Sequence, residues 1–151
     1  MPLLKIQQLI KRYTAPGGEA HTILDVPEFT LDEGQQVALH GASGTGKTTF
    51  LNCIAGILRP DQGDIELAGQ NIAVASEGQR DQLRARHIGY IFQTFNLLQG
   101  YTCMENVLLG MSFSGQAKTQ AAAAILKRVG LSNRMDYRPS ELSVGQQQRV
   151  A

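Results

Sequence analysis

Residues Gly41 to Thr48 read GASGTGKT, a full match to the pattern G-x-x-x-x-G-K-[ST], and no other stretch constrains the chain so strongly. Before it lies Gln35-Gln36-Val37-Ala38-Leu39-His40, a short segment with strand character. After it, Thr49 to Leu58 repeats its apolar residues at helical spacing. Strand, glycine-rich loop and helix, in that order, form the context in which this octapeptide binds phosphate. Average residue frequencies give about one chance match in a couple of hundred chains of this length, so the context separates the motif from a mere glycine-rich turn.

Each position has a physical task. Gly41, Gly44 and Gly46 permit backbone dihedrals that a side chain forbids, and let main-chain N–H groups crowd around an anion. Ala42, Ser43 and Thr45 complete the loop, and Thr49 continues the helix start. A helix beginning near Lys47 aims its unpaired N–H groups and the positive end of its dipole at the same anion. Lys47 supplies a full charge for the β- and γ-phosphates, and the Thr48 hydroxyl is a candidate magnesium ligand.

Composition bounds the remaining possibilities. The 151 residues, 42% of them apolar, suffice for one globular domain with a core. A net charge of +1 gives no reason to expect nucleic acid or anionic lipid as a partner. No apolar run approaches the ~18 residues that span a bilayer, and Met1-Pro2-Leu3-Leu4-Lys5 lacks the layout of a secretory signal. Cys53 and Cys103 are too few for a disulfide framework and are not spaced as a metal site. Cys53 falls in the apolar pattern of the helix after the loop and reads as a small buried hydrophobe. A cytosolic, reducing location fits these features.

Along the chain, Leu3–Ile10 and Thr22–Val26 read as strands flanking the turn Pro16-Gly17-Gly18. Asp32-Glu33-Gly34 makes a second turn, and Arg59-Pro60-Asp61-Gln62-Gly63 ends the helix after the loop. Asp64–Ala68 alternates like a half-exposed strand, Gly78–Arg86 is a polar helix, and Ile88–Phe92 is a further strand. From about Phe95 the pattern is helical. Lys118–Val129 places Ile125, Leu126 and Val129 on one face, with Gly130 capping the end. Ser143-Val144-Gly145-Gln146 fits a capping box that starts a helix at Ser143.

Three further motifs carry a family resemblance. Leu142–Ala151, LSVGQQQRVA, resembles the signature motif of ABC transporter ATPases, and Phe92–Leu98 resembles the segment around their Q-loop glutamine. Tyr13 matches the aromatic residue that stacks on adenine in that family. The resemblance covers all 151 residues and corresponds to roughly the first two-thirds of such a domain. It implies an α/β P-loop NTPase of the ABC type: an antiparallel β subdomain, a RecA-like core and a helical subdomain. Residues 1–94 would form the β subdomain and core, and 95–151 the mainly helical part.

The resemblance also implies a mechanism. Two nucleotide-binding domains, here two copies of one chain, face each other head to tail and enclose ATP. One would supply Tyr13, the loop residues Gly41 to Thr49, and Gln93. The other would supply Ser143, Gly145 and Gln146 to the γ-phosphate of the same ATP. Magnesium would be held by Thr48 and Gln93, and the Gln93 loop would report the γ-phosphate to an integral membrane permease subunit. By itself Gln93 reads as a surface glutamine. Val144 departs from the family, which usually has glycine there; it narrows backbone freedom and adds bulk. The family's magnesium-binding aspartate, catalytic glutamate and switch histidine follow the signature helix, beyond Ala151. His21, His40 and His87 read as strand-end or surface histidines. The expectation is therefore an N-terminal fragment of a longer product, peripheral on the inner face of the membrane. The alternative is a module that binds ATP without turning it over.

Leu83–Leu98, followed by Thr102 and Glu105-Asn106-Val107, is similar to the subgroup of lipoprotein-releasing and macrolide-exporting transporters. Export or extrusion is the implied task, with importers and cell-division relatives as the alternative.

Overall fold

Two long strands joined at the Pro16-Gly17-Gly18 turn organise the first part of the chain. Strand β1, Leu4–Thr14, pairs antiparallel with β2, Ala20–Leu31. The turn closes through the Gly18 N–H to the Ala15 carbonyl at 2.8 Å. On the other edge of β1 runs β3, Gln62–Leu67, also antiparallel, followed by the short β4, Gln70–Asn71; the sheet order is β2-β1-β3-β4. The computed structural model describes residues 2–115 and 117–151, which cluster into two units, Met1–Ile88 and Gly89–Ala151.

Alternation drives the first core. Leu4 and Ile6 of β1 turn inward with Ile65 and Leu67 of β3. The period breaks at Gln8, whose backbone is left-handed (φ 51°), so the next buried residue is Leu9. Gly63 makes this possible: a Cβ there would lie 2.2 Å from the Gln8 carbonyl oxygen. Helix α1, Lys47–Ile54, adds Phe50 and Cys53 to the core, and Phe50 meets Phe29 of β2 edge-on with ring centroids 5.7 Å apart. Burying each such side chain contributes about 1.5–3 kcal/mol. Helix α2, Glu77–His87, contributes Leu83. Burial raises the Cys53 thiol above its ordinary pKa, as a packing residue requires.

The second unit is helical. Helix α3, Cys103–Ser112, and α4, Thr119–Arg128, are followed by a 3-10 turn at Pro139–Glu141 and α5, Val144–Val150. Cys103, Leu126, Leu131 and Leu142 form its core. Gly130 ends α4 as its sequence position implies: φ is 74°, and the N–H groups of Gly130 and Leu131 bond the carbonyls of Lys127 and Leu126. The expected apolar face of α4 needs correction. Ala122 and Leu126, one turn apart, are buried, whereas Ile125 is 43% exposed.

Two strands expected from the sequence are absent. Neither Gln35–His40 nor Ile88–Phe92 joins a ladder among the described residues. Both carry β-type residues, yet Val37 is 55% and Ile91 75% exposed. Residue preference reports which segment suits a sheet. It does not supply the neighbouring strand whose N–H and C=O groups a ladder needs.

Candidate functional site

The start of α1 differs from an ordinary helix start. Its N-cap is Gly46 in the left-handed conformation (φ 85°), with no side-chain cap and no acidic residue in the first turn. The first-turn N–H groups therefore have no carboxylate or hydroxyl of the helix's own to bond. A Cβ on Gly46 would stand 2.8 Å from the Ile23 carbonyl oxygen and 2.9 Å from the Leu24 side chain, so glycine is required by space as well as by φ. Ser43, Gly44, Gly46, Lys47, Thr48 and Thr49 line a cavity of about 270 Å³, which Ile23 closes from the β2 side. Small side chains, helix N–H groups, an ammonium and hydroxyls are a donor set suited to a polyphosphate.

Lys47 is folded onto the loop. Its Nζ donates to the carbonyls of Gly41 (2.9 Å) and Ala42 (2.5 Å), with the Thr45 hydroxyl at 3.4 Å. The Thr45 hydroxyl also donates to the Ala42 carbonyl at 2.9 Å. These bonds hold the turn around the ammonium. A second cavity of about 460 Å³ shares Gly46 and Lys47 with the first, and its lining is mainly apolar, with Leu24, Val26, Phe29 and Phe50 beside Gly41 and Thr45.

Tyr13 lies near the end of β1, opposite His21, and is 44% exposed. It lines neither cavity. The Lys11 ammonium sits 5.8 Å from its ring centroid. Between Lys11 and Arg12 the β1–β2 register slips by one, because Lys11 faces Leu24 and Arg12 faces Thr22. Ile23 of β2 is the extra residue, and this bulge abuts the phosphate loop. In the sequence nothing distinguishes Ile23 from an ordinary strand residue.

In the second unit, Gln93 and Thr94 form a turn, followed by two left-handed residues, Phe95 (φ 49°) and Asn96 (φ 52°). Such backbone is costly for a phenylalanine. Ser143 caps α5 in a complete box: its Oγ accepts from the Gln146 N–H at 3.3 Å, and its own N–H donates to Gln146 Oε1 at 2.9 Å. Gly145 has open space where a Cβ would stand. Val144 is 70% exposed, so its bulk projects outward and strains nothing nearby.

The loop and helix of the first unit have the sequence and local geometry of the P-loop nucleoside-triphosphatase class. The chain belongs to the ABC transporter family, which residues 24–151 match. It is 40% identical over 152 residues to the macrolide export ATP-binding/permease protein MacB of Pectobacterium atrosepticum, covering 99% of this chain and 23% of that protein. It is 39% identical to the lipoprotein-releasing system ATP-binding protein LolD of Chromohalobacter salexigens, covering 99% of this chain and 64% of the relative. Among solved structures it resembles the dimeric ATP-binding cassette MJ0796 in a post-hydrolysis state bound to ADP and Pi. There the TM-score is 0.89 and identity 31%, over 97% of this chain and 66% of that one. The antiparallel sheet and helices agree with that fold. No helix among the described residues is long and apolar enough to cross a membrane.

Proposed function

We propose that this chain is the ATP-binding part of an ABC transporter, coupling ATP binding and hydrolysis to export or extrusion by a membrane permease. The observation that carries the proposal is the start of α1: uncapped, free of acid, glycine-lined and fitted with Lys47 and Thr48. That arrangement suits the β- and γ-phosphates of a nucleotide. Lys47 would exchange loop carbonyls for phosphate oxygens, and the Thr48 hydroxyl would hold magnesium. Bound magnesium would neutralise charge on the β- and γ-oxygens.

Tyr13 would stack on adenine, since an exposed ring tolerates a planar base without hydrogen-bond readout. Ser143, Gly145 and Gln146 would meet the γ-phosphate held by a second copy. Ser143 Oγ accepts the Gln146 N–H, which leaves its own O–H to donate to an anion. The dimeric state of MJ0796 and the exporter and lipoprotein-releasing names of the relatives support a cassette dimer and an extrusion role. Peripheral attachment at the inner membrane face follows from partnership with a permease. None of residues 1–151 is assigned as the general base.

The test is turnover by the full-length gene product with its permease. Magnesium-dependent ATP hydrolysis is expected, and Lys47→Ala should remove it. A Lys47→Ala complex that retains more than about a tenth of the parent rate, ~1.4 kcal/mol of barrier, would overturn the assignment.

A further inference from the structure

Where β3 ends, β1 continues. The last β1–β3 pair is Ile10 with Gln62, so residues 11–14 of β1 lose their neighbour on that edge. Asp61, the residue just before β3, takes over. Its N–H donates to the Ile10 carbonyl at 2.9 Å. Its carboxylate accepts from the Arg12 N–H at 2.6 Å and from Lys11 Nζ at 3.1 Å. One side chain thus replaces a strand as the ladder partner and pairs with the lysine that sits over the Tyr13 ring.

These bonds fall at a particular place. They grip β1 on one edge at Lys11 and Arg12, and the Ile23 bulge shifts the register on the opposite edge between the same two residues. The bulge touches Gly46 of the phosphate loop. Tyr13 is the next residue along. The end of β1 that carries Tyr13 is therefore held between the bulge on one edge and the Asp61 bonds on the other.

We propose that Asp61 is a positioning residue for base recognition: through Arg12 and Lys11 it sets Tyr13 at the distance from the phosphate loop that adenine requires. The proposal rests on the reading of Tyr13 as the adenine platform. The Arg12 N–H, and secondarily Lys11, hold the Asp61 carboxyl below its ordinary pKa, which is consistent with an engaged carboxylate on a largely solvated turn. Asp61 lines neither cavity beside the phosphate loop, so its loss should alter affinity for the base and spare affinity for the phosphates.

The experiment compares two probes on the full-length protein by calorimetric titration: a non-hydrolysable ATP analogue and inorganic triphosphate. Tyr13→Ala should weaken the analogue about tenfold and leave triphosphate unchanged, the size expected for one lost stacking contact. Asp61→Ala should weaken the analogue about threefold to fivefold, again with triphosphate unchanged, since displaced stacking is partly kept. In a Tyr13→Ala background, Asp61→Ala should cost nothing further. Asp61→Asn, which keeps an acceptor for the Arg12 N–H, should fall between parent and alanine variant, and it decides the matter if Asp61→Ala does not fold. Equal losses for both probes, or an unchanged ratio in a folded Asp61 variant, would overturn the proposal. An unchanged ratio in Tyr13→Ala would instead overturn the reading of Tyr13, and the proposal with it.

Discussion

The starts of α1 and α5 are both read as phosphate sites, yet they are built in opposite ways. At α1 the N-cap is a glycine with no side chain to offer, the first turn holds no acid, and a cavity lies over the N–H groups. At α5 the helix satisfies itself: Ser143 and Gln146 exchange hydrogen bonds in a closed box. Boxes of the same kind start α2 at Ser76 and Gln79 and α3 at Thr102 and Glu105. Lack of a cap is not enough by itself, since α4 begins at Lys118 without one. What sets α1 apart is the combination of an open helix start, a glycine loop and a lysine. On the proposed reading the α1 start is open to an anion, whereas the α5 start is closed by its own box and would meet an anion only when another molecule brings it.

The largest expected effect breaks the α1 side of this comparison. Lys47→Ala removes the only full charge in the loop and also three bonds that shape it, to Gly41, Ala42 and Thr45. ATP turnover by the full complex should fall more than about tenfold, with the fold retained in thermal unfolding. Next in size is Ser143→Arg on the α5 side. It should leave nucleotide binding by the monomer intact and block an ATP-dependent dimer, which size-exclusion chromatography with and without ATP would report. Loss of monomer binding in that variant would mean that α5 does not serve a partner's nucleotide. Smaller again, Tyr13→Phe should be nearly neutral, while Tyr13→Ala weakens ATP binding by about 1 kcal/mol or more. Equal losses in the two variants would assign the effect to the hydroxyl.

The same comparison shows what was legible in the sequence. Local chemistry was readable: the GASGTGKT loop, the Ser143 box, the Gly130 cap and the burial of Cys53 all follow from residues a few positions apart. Features made by distant residues were not. The Ile23 bulge and the Asp61 bonds to Lys11 and Arg12 join segments about fifty residues apart in the second case, and no short-range pattern marks them. Asp61 read simply as part of a turn. The strand expectations at Gln35–His40 and Ile88–Phe92 failed for a related reason, because a ladder is a property of two segments and a residue pattern belongs to one. The boxes at Ser76 and Thr102 are equally local: S-E-G-Q and T-C-M-E carry the same signature as S-V-G-Q.

The smallest effect separates two boxes of the same bonding pattern. At α3 the Thr102 N–H donates to a carboxylate, Glu105 Oε2, at 2.7 Å, whereas at α5 the Ser143 N–H donates to the neutral amide oxygen of Gln146 at 2.9 Å. The Thr102 N–H bond is the main cause that draws the Glu105 pKa below its ordinary value, with the Thr102 side chain contributing further. A lowered folded pKa means that the carboxylate's stabilising effect is fully present above the unfolded value, about 4.3, and is lost as pH falls through the folded value. Gln146 does not titrate. Acidification below about pH 4 should therefore loosen the start of α3 and leave α5 unaffected in this respect. Amide hydrogen exchange at Thr102 and Ser143, corrected for intrinsic rates, measures the two starts side by side. Protection at Thr102 should fall in that window while protection at Ser143 holds, and Glu105→Gln should make the two behave alike. A parallel loss at both positions would point to unfolding of the whole unit and would remove Glu105 as the cause.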